Sequence, residues 1–158
     1  MESNKVHLEM EVLRKFRLIF GAVKIHFQEI EKICGISSSQ LWILKVINNN
    51  PGIGVTDLAK IIAIHQTTAS ILIEKLSKKK LIEKRRSDID QRRVGLFTNI
   101  AGEITLNKVP NAVEGLLPST LQKLTNKSLT ELSFNLDELI KHFDSKYQDL
   151  ANTPLAEL

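Results

Sequence analysis

The stretch from Gln66 to Thr98, QTTASILIEKLSKKKLIEKRRSDIDQRRVGLFT, decides how this chain folds. Its first half places Ala69, Leu72, Ile73 and Leu76 at the three-and-four spacing of one helical face, which predicts a helix over 66–80 with those residues turned inward. Thr67, Ser70, Ile71, Glu74 and Lys78 are then left on the outer side. Two β-compatible segments follow, 81–86 and 94–98, separated by the polar run 87–93, and together they read as a hairpin.

Working outward, Leu8, Val12, Phe16, Ile19, Phe20, Val23, Phe27, Ile30 and Ile33 trace a single long amphipathic helix that Gly35 stops. Ser37 and Gln40 have the spacing of a capping box, opening a second helix with Leu41, Leu44 and Ile47 on its core face. The turn signal 48–52 leads into a short third helix over 55–62, with Gly54 before it and Asp57 in its first turn, where the helix dipole favours an acid. Downstream, Asn99 can cap a fifth helix opened by Gly102. Pro110 should kink that helix, and Pro118 should mark a second break. Thr125 is placed to cap a last helix carrying Leu129, Leu132, Leu136, Leu139, Ile140 and Phe143.

The expectation is a mainly α chain with a small β-hairpin wing, folded as one domain over 1–158. A winged helix-turn-helix lobe would occupy 37–100, and the helices within 5–34 and 100–150 would carry apolar faces that so small a lobe cannot cover. Surfaces of that kind mark an interface, and a two-fold homodimer is the economical way to bury them.

Charge points to the partner of the lobe. The net charge is only +4, yet between Lys75 and Arg93 nine basic residues face three acids. Such concentration on an otherwise near-neutral chain is the electrostatic footprint of a nucleic-acid contact surface. A helix fits the major groove, and Gln66, Thr67, Thr68 and Ser70 are residue types that bond base edges, while the outward Ile71 could pack on a thymine methyl. The plainer reading of the Thr and Ser hydroxyls is that they bond their own helix. Lys84, Arg85 and Arg86 would meet phosphates. Arg92 and Arg93 would enter the narrow minor groove from the hairpin, with Asp90 orienting Arg92.

The spaced combination resembles the MarR family of transcription regulators. Leu58-Ala59, Thr68, Ser70, Leu72, Leu76, Leu81-Ile82 and Arg85 fall where that family has matching residues, Asp90-x-Arg92 matches its wing signature, and Gly102 matches the glycine that follows. The family often has arginine where Ile71 stands, and a glycine where Lys80 stands, so Lys80 must adopt a left-handed conformation or extend the helix. The resemblance implies a homodimer on a pseudo-palindromic double-stranded DNA operator, most often a repressor, released by a small effector. Ligands of similar proteins sit between the dimerisation helices and the lobe, where His26, Phe27 and Trp42 are the candidate lining residues.

Other classes find little support. There is no phosphate loop, nucleophile elbow or paired metal-ligand motif, so neither an enzyme nor a cofactor or metal site is expected. No apolar run reaches the roughly 20 residues of a spanning helix, so no membrane contact is expected, and with one cysteine and no secretory pattern the expected compartment is the cytoplasm. Two alternatives stay open: a winged-helix module for protein interaction, and a redox-sensing regulator acting through Cys34.

Overall fold

The computed structural model describes residues 2–86, 93–110 and 115–158. Helix α1 spans Glu2–Cys34, α2 Ser38–Asn49, α3 Val55–Ile61 and α4 Gln66–Lys78. Strands β1 (Ile82–Arg86) and β2 (Val94–Thr98) pair antiparallel, with Ile82 opposite Thr98 and Arg86 opposite Val94. Then come α5 (Ile100–Asn107), α6 (Leu116–Leu121), α7 (Asn126–Ile140) and two short 3-10 helices, Ser145–Asn152 and Leu155–Glu157. The winged-helix order expected from the sequence is present, with a helical tail longer than expected.

Local chemistry explains most boundaries. Ser37 and Gln40 form the capping box: the Gln40 amide donates to Ser37 Oγ at 3.2 Å and the Ser37 amide to Gln40 Oε1 at 2.9 Å. Asn99 caps α5 by accepting from the Gly102 amide at 3.0 Å, so this helix begins at Ile100 and Gly102 lies in its first turn. Thr125 caps α7 through the Ser128 amide at 3.1 Å. Two proline expectations need correction. Helix α5 ends at Asn107, before Pro110, and Pro118 breaks nothing because it sits in the first turn of α6, where a missing N–H has no intrahelical partner to lose.

The core of the lobe is the meeting of α2, α3, α4 and the wing, where Leu41, Ile43, Leu44, Ile47, Leu58, Leu72, Ile73, Leu76 and Leu96 are almost wholly buried. Each such side chain contributes roughly 1.5–3 kcal/mol relative to exposure. The wing's base is wider than a hairpin, because Ile53 forms a bridge to Leu96, with Gly52 N donating to Leu96 O at 2.8 Å and Leu96 N to Ile53 O at 3.0 Å. That bridge fastens the α2–α3 turn to the wing and so sets the wing's angle to α4.

Lys80 takes the left-handed conformation, with φ of 57°, one residue beyond the cap of α4. Its carbonyl accepts from Asn99 Nδ2 at 2.8 Å, which ties the turn to the start of α5. A side chain in this region is strained by about 1–2 kcal/mol, against roughly 0.5–1 kcal/mol of extra unfolded-state freedom for glycine. Lys80→Gly is therefore expected to stabilise the chain by about 0.5 kcal/mol or more, read as a rise in the urea midpoint with unchanged slope; a lower midpoint would show that the lysine is not strained.

Candidate nucleic-acid interface

Helix α4 turns the expected face outward. Ala69, Leu72, Ile73 and Leu76 are buried, while Gln66, Thr67, Ser70, Ile71, Glu74 and Lys78 are exposed and Thr68 is half-buried. Ile71 is 54% exposed, a β-branched apolar side chain standing among polar ones. Ser70 shows the plainer behaviour its type allows, since its hydroxyl donates to Gln66 O at 2.9 Å and only its lone pairs are left for a partner.

The basic residues of β1 are not uniformly poised for phosphate. Lys84 Nζ bonds Glu74 Oε2 at 2.7 Å, joining the wing to α4, and this bond with its charge holds the Glu74 carboxyl below the ordinary carboxylate range. The pair neutralises the one acid on the exposed face of α4, and Lys84 is therefore already engaged in this structure. Arg85 lies with its guanidinium 4.5 Å from the Phe97 ring centroid and donates to Glu83 Oε2 from Nε at 3.2 Å and Nη2 at 2.8 Å. Arg85 and Arg86 of β1 and Arg93 before β2 line one groove with Thr56 and Asp57 of α3. Asp57 was expected only as a first-turn acid of α3 and Thr56 not at all, because nothing in their spacing shows that the wing folds back over the start of α3. Asp90 and Arg92 lie outside the described residues.

A second site lies under the lobe. A cavity of about 270 Å³ is walled by Val23 and Phe27 of α1, Ser38, Ser39 and Trp42 of α2, Ile62 and Ile64, Leu116 to Pro118 of α6, and Ala151 with 153–156 from the tail. Phe27 and Trp42 thus stand where expected. His26 does not line the cavity; it packs beside Phe27, ring centroids 6.3 Å apart, with Nε2 buried and lacking a partner among the described residues. Cys34 is buried and burial pushes its thiol up from the ordinary range, which disfavours the thiolate that redox signalling needs.

The fold and the exposed helix beside an arginine-lined wing define a winged-helix protein. Residues 25–93 match the MarR family profile. Among solved structures, a MepR-like protein complexed with pseudoligands is 18% identical with a TM-score of 0.61, over 82% of this chain and 91% of its own. Staphylococcus aureus MepR in a DNA complex is 20% identical with a TM-score of 0.58, over 82% and 96%. Streptococcus pneumoniae FabT in complex with DNA is 17% identical with a TM-score of 0.54, over 84% and 95%. At such identities the likeness is one of fold. The comparison with curated proteins finds no match. Among the described residues, no helix is long and apolar enough to cross a membrane.

Proposed function

We propose that this chain is a transcription regulator of the MarR type, a cytoplasmic homodimer that represses by binding a pseudo-palindromic operator and is released by a small apolar effector. The observation that carries the reading is the outward polar face of α4, with Ile71 exposed in it, joined by the Lys84–Glu74 bond to a wing whose arginines line a groove against the start of α3. A helix of this width enters the major groove, and Arg86 and Arg93, with Arg85 once it leaves Glu83, would meet the flanking backbone. Gln66, Thr67, Thr68 and Ile71 are the base-reading candidates, and Arg92 with Asp90 the wing's minor-groove pair. Of the three similar structures named above, two were solved with DNA and one with pseudoligands, in keeping with the two sites.

The dimer is supported by what the chain leaves uncovered. Helix α1 exposes Leu8, Val12, Leu18, Ile19 and Phe20, the last at 70%, and no residue of α7 is buried although Leu132, Phe134, Leu139 and Ile140 form much of its surface. Helices within 5–34 and 100–150 would pack against their two-fold mates and place two α4 helices about one turn of DNA apart.

Light scattering should give twice the mass of one chain. Binding to double-stranded DNA, measured between 50 and 200 mM salt, should weaken by about 10³-fold or more, as expected for roughly six or more neutralised phosphates per dimer. A monomer in solution, or DNA binding indifferent to salt, would refute this reading and favour a winged-helix module that recognises protein.

A further inference from the structure

The last residues of the chain connect the cavity to the helix proposed to read DNA. Thr153, Pro154, Leu155 and Ala156 line the cavity together with Phe27 and Trp42. The same short segment holds α4 at two places. The His65 amide, at the cap of α4, donates to Asn152 O at 3.2 Å. Glu157 Oε2 lies 3.8 Å from Lys75 Nζ in the last turn of α4, and Glu157 Oε1 accepts from Ser37 Oγ, the cap of α2, at 3.1 Å. Glu157 is only 22% exposed, so it sits in the seam between tail and lobe.

We propose that residues 152–157 are a strap that closes the cavity and clamps the recognition helix, so that an apolar ligand entering beside Trp42 must lift the strap and thereby release α4. The ligand class follows from the walls: the hydroxyls of Ser38, Ser39 and Thr153 and the Trp42 indole are the polar groups among otherwise apolar side chains, and about 270 Å³ suits a small apolar molecule. The coupling follows from geometry, because the wall that a ligand presses on is the segment bonded to both ends of α4. The proposal rests on the regulatory reading above and adds its mechanical link.

Trp42 is the only tryptophan in the chain, so its fluorescence reports the cavity alone. Two full-length variants separate strap release from charge. Leu155→Asp puts an anion into the apolar wall, and Glu157→Ala removes one from the seam. Each should make Trp42 at least twice as sensitive to acrylamide quenching and speed hydrogen exchange of the His65 amide about tenfold. Both should also weaken DNA binding, by roughly 3- to 10-fold. Charge alone predicts opposite signs for the two, since Glu157→Ala makes the chain more cationic and would tighten binding to DNA. Unchanged Trp42 quenching and His65 exchange would overturn the strap, and so would tighter DNA binding by Glu157→Ala with Trp42 exposed. If the unaltered chain bound no DNA, the regulatory reading would fall, while the Trp42 and His65 measurements would still decide whether the strap exists.

Discussion

Gly102→Ala is expected to destabilise the chain by about 3 kcal/mol and to lower its melting temperature by roughly 10 °C. A methyl group at this position would lie 2.3 Å from the Leu81 carbonyl oxygen, 2.7 Å from Thr98 Cγ2 and 3.2 Å from Leu44 Cδ1. The first of these is backbone, and it cannot step aside cheaply. Leu81 O accepts from the Asn99 amide at 3.3 Å, and Leu81 N donates to Leu76 O at 3.1 Å. Moving it therefore disturbs the exit from α4 and the entry to α5 together. Asn99, which caps α5 through the Gly102 amide itself, would be displaced as well. The close approach has a purpose, since it seats α5 on the paired ends of β1 and β2, where Ile82 meets Thr98, and so fixes the wing relative to the core. A calorimetric melting temperature within about 2 °C of the parent would show that the strands and α5 can separate, and the account of how the wing is braced would be wrong.

The parts of this molecule legible in the sequence are those where one local rule acts alone. The inward face of α4 follows from helical spacing, and the Ser37, Asn99 and Thr125 caps follow from side chains that reach an amide three residues on. The choice left open at Lys80 is resolved toward positive φ because the chain must turn at once to place Ile82 in the wing. What could not be read depends on residues far apart in sequence. Lys84 counted as a phosphate ligand until Glu74, ten positions earlier, is seen to hold it. The cavity was expected from α1 and α2 alone, because 145–158 have neither a heptad-like face nor strand alternation, and two 3-10 turns leave no periodic signal. His26 failed as a lining residue for a simpler reason: Phe27 lines the cavity, and adjacent positions on a helix point about 100° apart.

The largest effect on recognition is expected from Ile71→Glu, which should weaken binding to the preferred DNA sequence by at least about 100-fold and leave the fold unchanged. Ile71 is 54% exposed and outside the core, so its replacement should shift stability by no more than about 0.5 kcal/mol, and glutamate suits a helix better than isoleucine. The penalty arises only in the complex. In the groove position proposed for α4, residue 71 faces base edges between two rows of phosphates, where a carboxylate meets like charge and loses its water, a combination worth several kcal/mol. Lys75 lies one turn further on and could offset part of this, but it already serves Glu157. Ile71→Ala is the informative companion. Losing contact with a thymine methyl should cost about 1 kcal/mol, near fivefold, on the preferred sequence and almost nothing on random DNA, with the same salt slope in both cases. Binding by Ile71→Glu equal to that of the parent, on a protein whose circular dichroism is unaltered, would mean that the exposed face of α4 does not enter DNA, and the fold would then serve some other partner.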